Sequence, residues 1–396
     1  MPAMRDGIAG RRTHLLAAVL VALATASAAC AGGNGTTGAD GSAASAETRA
    51  LPPGLPPSAG RVSYVAPSGN DRNPGTNERP WRTIQKALDT LRPGQRALVR
   101  AGTYAEDLVF RRAGTPRAPI TVAAASGERA VLRPASTSGD TYPVRIRGSW
   151  FRLRGFVIEN ARGRSSTNVY FEGGAHDVEL TANEIRYSQD QGIFAERTTR
   201  NLQILRNRIH DNGRGHEEGQ HQSHGIYIEG EDHLIANNVV WSHPYGFGIQ
   251  IYPQNRGTIV VHNTIVGAAH SGIVVGGDDG VEDIVIRNNV IAFNGKYGVE
   301  SDSDCPVGPV AVDRNVIFGN RGGSVESGCT HVTVVGGNIV DDPRFVAPGR
   351  NFELRAGSPA IDRARADYAP RVDLRGRRRP SGKGYDVGAF ERSVRR

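Results

Sequence analysis

The chain has 396 residues, a formal net charge of +8, 50 glycines and only 22% charged residues. Glycine follows no Gly-X-Y period and no long tract lacks apolar residues, which excludes a collagen-like or wholly disordered chain. The cluster Arg375, Arg377, Arg378 and Arg379, with Arg395 and Arg396 at the end, has no interleaved aromatics and no nucleic-acid motif. It reads as a solvated tail, and nucleic acid is not an expected partner.

Residues 1–30 read as an export signal. Arg5, Arg11 and Arg12 form a positive start, and an apolar run from Leu15 to Ala29 is too short for a comfortable membrane span. Ser27-Ala28-Ala29-Cys30 is similar to a bacterial lipoprotein cleavage box, with serine where leucine is usual. Lipidation at Cys30 and plain cleavage near Ala29 stand as alternatives, and such a lipid is the one membrane attachment expected. Removing residues 1–29 takes away three arginines and one aspartate, leaving +6 of the original +8. Residues 31–60, rich in Gly, Ala, Ser, Thr and Pro, are expected to be a disordered linker, because they bury too little apolar surface to offset ordering entropy. Residues 61–392 are then one folded body.

That body is written as a repeat. Asn-x-[Ile/Val] stretches recur with asparagines at 183, 207, 237, 263, 288, 315 and 338, spaced 24, 30, 26, 25, 27 and 23 residues apart. A Gly-Ile/Val element keeps the same register at Gly192, Gly225, Gly248, Gly272 and Gly298, and an alternating strand precedes each asparagine, as in Leu202-Gln203-Ile204. Three short strands per coil predict an all-β, right-handed parallel β-helix whose coils stack at ~4.8 Å. Asn207, Asn237, Asn263 and Asn288 are expected to form an amide ladder, a structural role. Apolar residues at helical spacing over 83–91 predict a short N-terminal helix that caps the open end, and a capped solenoid is expected to be monomeric. Cys305 and Cys329, 24 residues apart, fall in adjacent coils before their asparagines and are expected to form a disulfide.

Several segments resemble a known group. Tyr64-Val65-Ala66-Pro67-Ser68-Gly69-Asn70-Asp71, Pro80-Trp81-Arg82-Thr83-Ile84-Gln85-Lys86-Ala87 and Val99-Arg100-Ala101-Gly102-Thr103-Tyr104 open the body, and Gly357-Ser358-Pro359-Ala360-Ile361-Asp362 with Tyr385-Asp386-Val387-Gly388-Ala389-Phe390-Glu391 close it. Together they resemble secreted right-handed β-helix proteins, including one family of bacterial pectate lyases. The resemblance implies fold and export, hence an extracellular or surface location. It leaves the reaction open, since that frame carries lyases, hydrolases and epimerases.

In such proteins the first strand of each coil floors the substrate groove. Counting from each glycine places Phe194, Tyr227, Gln250, Val274 and Glu300 outward, then Glu196, Glu229, Tyr252, Gly276 and Asp302. The longest asparagine spacing, 30, marks an inserted loop carrying Arg214, His216, Glu217, Glu218, His221 and His224. His243, Tyr245, His270 and Lys296 fall in the same turn of later coils. The expected partner is a polysaccharide. Eliminative cleavage of a uronate would use His224 as base with Lys296 as rival, Tyr227 or Tyr252 as acid, and Arg214 on the carboxylate. Gln250, His270 and Glu300 complete the binding surface, and Glu196 with Glu229 is the hydrolytic alternative. The related lyases hold calcium with clustered aspartates and use a lysine base. Asp302 stands alone here and Asp278 and Asp279 lie beyond the strand, so a calcium requirement is not supported and the cofactor is left open. His216, His221, His224 and Glu217 match no strong metal spacing. The expectation is a lyase acting on an acidic polysaccharide. A hydrolase, an epimerase and a non-catalytic glycan binder are the alternatives.

Overall fold

The computed structural model describes residues 51–215, 223–277, 280–302 and 304–392. The signal, Cys30, Asp278, Asp279 and the inserted-loop residues His216, Glu217, Glu218 and His221 lie outside the described residues.

One coil runs through Gln191–Ala195, Gln203–Leu205 and Arg208–His210, and the next through Ile226–Glu231, Leu234–Ala236 and Val239–His243. Each strand pairs in parallel with its counterpart. Among the described residues the stacking builds three sheets, of ten, eleven and nine strands. They are called here the groove sheet, the second sheet and the third sheet. The protein is a right-handed parallel β-helix, the hand that twisted parallel strands impose on their connections.

Alternation sends one row of side chains inward. Ile193, Ile226, Ile249, Ile273 and Val299 are in register along the axis and essentially without exposed surface. Burying each contributes about 1.5–3 kcal/mol. The glycine before each is required by space: a Cβ on Gly248 would lie 2.6 Å from both Gly272 O and Ile265 Cγ2.

The asparagine ladder exists, shifted by one residue at two rungs. Its members are Asn183, Asn207, Asn238, Asn263, Asn289, Asn315 and Asn338; from Asn207 on each Oδ1 accepts the backbone N–H of the rung before it, and that of Asn183 accepts Phe156 N. Asn237 and Asn288, expected in the ladder, instead hold the left-handed turn just before it, with φ of 56° and 58°. Asparagine tolerates that conformation at little cost. In a double asparagine the first residue makes the turn and the second the rung. Ala182, Arg206, His262 and Arg314 take the same left-handed position in other coils.

The N-terminal end is closed. The capping helix is Ile84–Thr90, with Thr83 as N-cap and Ile84, Ala87 and Leu88 buried. Ile84 N and Gln85 N each donate to the Glu106 carboxylate at 3.0 Å. Beyond the last coils, a hairpin of Phe345–Ala347 and Asn351–Leu354 and the segment after it cover the third sheet. Arg379 is fully buried against Glu391 at 2.8 Å, and Arg375 and Arg377 pair with Glu353. Arg379 is therefore not part of the solvated tail expected of it, while Arg375 and Arg378 stay exposed: Asn237 Oδ1 and the Gly388 carbonyl give Arg379 further acceptors.

Residues 51–60, expected within a disordered linker, are ordered. Residues 51–58 form a strap on the second sheet, where Ser58 is buried and donates to Pro119 O at 2.6 Å. Gln203 Nε2 donates to Pro53 O at 2.9 Å, and Arg152 donates to the carbonyls of Leu55 and Pro56. Backbone carbonyls meeting outward polar side chains hold this segment, so its composition alone does not reveal its order. Cys305 and Cys329 are bonded, with Cα atoms 5.4 Å apart.

Candidate functional site

The outward column of the groove sheet reads Arg145, Tyr170, Phe194, Tyr227, Gln250, Val274, Glu300 and Glu326, all in register. Aromatic rings pave its first half. Tyr142 to Tyr170 is 5.2 Å, Tyr170 to Phe194 5.5 Å at 5° between planes, and Phe194 to Tyr227 5.0 Å. Such rings give an apolar floor with polar tips, which suits sugar faces.

Charges flank the paving. Arg145 sits 5.0 Å over the Tyr142 ring and 2.8 Å from the Glu172 carboxylate, which also takes Arg147. Tyr170 donates its hydroxyl to Glu196. One coil on, the charge of Glu229 acts on Tyr227, and Glu229 Oε2 lies 3.7 Å from Arg197 Nε. Burial, then the charge of Glu229, push the Tyr227 hydroxyl up, so it holds its proton. Burial also pushes Glu229 up; Arg197 and Tyr227 oppose that, and Glu196 adds to it. The Arg197 side chain is 55% exposed and so can be reached by a ligand.

Of the expected site residues, His224, Tyr227, Glu229 and Gln250 come together. The His224 ring meets Tyr227 edge-on at 5.8 Å and stacks on Phe247 at 5.3 Å, and Phe247 stands 5.5 Å from His270. His224 does not fit the role of base. It is 2% exposed, and its Nδ1 accepts the Phe247 backbone N–H at 3.1 Å. That lone pair is used, which leaves Nε2–H as a donor in the neutral ring. Lys296 does not fit either. Its ammonium pairs with Glu300, which raises its pKa and keeps it protonated. Glu300 also accepts from Ser271 Oγ at 2.5 Å. This pair lies three coils beyond Tyr227, ~14 Å along the axis at one strand spacing per coil.

Arg214 donates to Asp211 at 2.8 Å and covers the Tyr187 ring at 4.8 Å, so its guanidinium is already engaged. Tyr252 follows a bulge in the pairing after Ile228, and its hydroxyl donates to Asp304 at 3.1 Å. His243 is wholly buried and neutral, its pKa lowered to about 4 by burial. Among the described residues no group of three His, Cys, Asp or Glu side chains could hold a metal ion. Glu172, Glu196, Glu229 and Glu300 are each tied to a different arginine, tyrosine or lysine.

The sequence reading missed Tyr142, Arg145, Arg147, Tyr170, Glu172, Arg197 and Asp190. The signal for the first five was present: Val144-Arg145-Ile146 alternates as a strand, but these coils lack the Gly-Ile signature that set the counting. Asp190 lies by Ser223 in the turn before the groove strand, and burial pushes it up to about 7. The folded protein therefore keeps a proton that an unfolded chain releases near ~4. The stability tied to this group is present below pH ~4 and is lost as pH rises towards 7. Thermal melts should show wild type losing stability relative to Asp190→Asn between pH 4 and 7. Parallel melting curves over that window would show that Asp190 is not held as a neutral acid.

Comparison with known proteins fits this geometry. The family description "Pel9A-like, right handed beta helix region" matches residues 63–230, and "Right handed beta helix region" matches 217–339. This is a pectate-lyase-like β-helix protein. The pectate-lyase-like chain is 28% identical over 134 residues to pectate lyase L of Dickeya dadantii, 31% of each chain. It is 29% identical over 135 residues to YwoF of Bacillus subtilis, 32% of this chain and 29% of that protein. The matched stretch thus spans under a third of either curated relative. The crystal structure of pectate lyase Pel9A superposes with a TM-score of 0.61 at 18% identity, covering 88% of this chain and 100% of that one. That likeness establishes the fold.

Proposed function

We propose that this protein cleaves an acidic, uronate-containing polysaccharide by β-elimination in the groove, outside the cell or at its surface. The observation that carries the reading is the Tyr227–Glu229 pair beside the reachable Arg197. A uronate carboxylate pairs with Arg197 in bidentate fashion, which removes the cation nearest Glu229. Without that cation the Glu229 pKa rises further, towards the working pH of a general base.

Glu229 takes the proton from C5, and the C–H electron pair forms the C4–C5 double bond. The C4–O4 bond breaks, and O4 takes the Tyr227 hydroxyl proton. Tyr227 recovers its proton from the neighbouring Glu229, so the site is restored and no cofactor is consumed. The paved column Tyr170–Phe194–Tyr227 holds neighbouring sugars in line. The kinship with pectate lyases supports an acidic sugar as substrate.

A hydrolytic reading has one observation in its favour. Glu229, held up by burial and by the charge of Glu196, fits an acid that protonates a leaving oxygen. Incubation of the protein with polygalacturonate and alginate, followed by mass spectrometry, decides between them. Elimination gives unsaturated ends that absorb in the ultraviolet and weigh one water less than hydrolytic products. New reducing ends without unsaturation would replace the lyase by a hydrolase, and binding without products would make the groove a glycan-holding surface.

A further inference from the structure

On the second sheet, facing away from the groove sheet, lies a cleft of about 560 Å³. That is within the ~300–1,000 Å³ of small-ligand sites. Register explains its shape. Arg96, Thr121 and Arg152 form one outward row, and Leu98, Ala123 and Arg154 the next. The small Thr121 and Ala123 stand between long side chains two coils apart, so a hollow opens with arginines at its ends. The strap closes one side through Pro57 and Ser58, with Ser58 Oγ 2.8 Å from Thr121 Oγ1.

The charges in this cleft are unbalanced. Arg152 pairs with Glu179 and donates to the strap carbonyls. Among the described residues neither Arg96 nor Arg154 has an ion-pair partner. Glu128, the one carboxylate lining the cleft, is 2.6 Å from the Ala101 N–H that it accepts. Arg206, half-buried one turn further along, faces the like charge of Arg154, and burial with that charge lowers its pKa. Arg96 and Arg154 are both exposed, so their guanidinium groups are within reach of an anion that enters the cleft.

We propose that this cleft is a second binding site for an acidic oligosaccharide, with Arg96 and Arg154 each taking a carboxylate. Arg96 and Arg154 are two coils apart, ~10 Å, which suits two carboxylates on one oligomer better than a single small anion. The choice of an acidic sugar rests on the function proposed above; the unbalanced cleft does not. A surface site of this kind holds a polymer while the groove acts on another stretch of it, and the two together raise the effective concentration of substrate.

The test is calorimetric titration of the full chain with trigalacturonate and, separately, with inorganic phosphate. Wild type should show two classes of trigalacturonate site. Arg96→Gln with Arg154→Gln should weaken one class at least ~10-fold, since two charge-assisted contacts are lost. Cleavage of short oligomers and the melting temperature should not change, because neither residue is in the groove or the core. An unchanged isotherm in the double variant would overturn the proposal. So would tight binding of phosphate without trigalacturonate. A chain that cleaves nothing yet loses trigalacturonate at Arg96 and Arg154 would sink the lyase reading and leave this one standing.

Discussion

Glu229→Gln is expected to lower the cleavage rate of an acidic polysaccharide by about 10²–10⁴-fold, the usual worth of a positioned general base. The amide keeps the shape of the carboxylate and can still meet Tyr227, so binding should survive. Stability should not fall, because burial disfavours the charge that the change removes. Tyr227→Phe should give a loss of similar size, since the same proton circuit is cut at the acid. The two losses should not add in the double variant, because either change disables the relay. Arg197→Gln should act differently. It removes a contact with the substrate carboxylate, so KM should rise, and the rate at saturation should fall where Arg197 also stabilises the charge developing beside C5. The control is His224→Gln: if Nδ1 serves the Phe247 amide and does not take the C5 proton, this variant should retain a turnover far above that of Glu229→Gln. An active Glu229→Gln protein, or a His224→Gln protein as dead as it, would move the base elsewhere.

How much of this was legible in the sequence follows from what each signal reports. Period-two alternation and the two-dozen-residue repeat report the coil, and stacking did bring Phe194, Tyr227, Gln250 and Glu300 into one column. The repeat could not say which member of Asn237-Asn238 takes the turn, because both residues suit both places. The site was less legible. Outward position can be counted, but hydrogen-bond allegiance cannot. A histidine in the inserted loop suggests a base, yet the Nδ1 lone pair of His224 faces a backbone amide 23 residues away in the chain. Lys296 was a free ammonium in the sequence and is a paired one in the fold. Arg379 reads as part of a basic tail, and its partner Glu391 lies twelve residues later across a buried turn. In each case the residue type alone is ambiguous, and the deciding neighbour lies four residues away for Lys296, twelve for Arg379 and 23 for His224.

The largest expected loss of stability comes from the ladder rung Asn263. Its Oδ1 accepts from Asn238 N at 2.9 Å and from Asn238 Nδ2 at 3.0 Å. Its Nδ2 donates to Ile235 O at 2.8 Å and to Asn289 Oδ1 at 3.0 Å. All of these groups are buried, so Asn263→Ala leaves donors and acceptors in the dry interior of three successive coils. A buried group left without a partner costs about 1–3 kcal/mol, and relaxation cannot rescue a backbone N–H fixed by its own strand. The expected loss is about 3–5 kcal/mol, near the upper end for single substitutions, read as a shift in the denaturation midpoint. Asn263→Asp should be little better, because the carboxylate keeps the acceptor, loses the donor and buries a charge. Asn338 supplies the contrast. It accepts from Asn315 in the same way but sits partly exposed at the last rung, where the orphaned groups of an Asn338→Ala protein can reach water. Its loss should be clearly smaller. Equal losses at Asn263 and Asn338 would mean that the ladder contributes through turn conformation alone, and that the amide chain adds nothing along the axis.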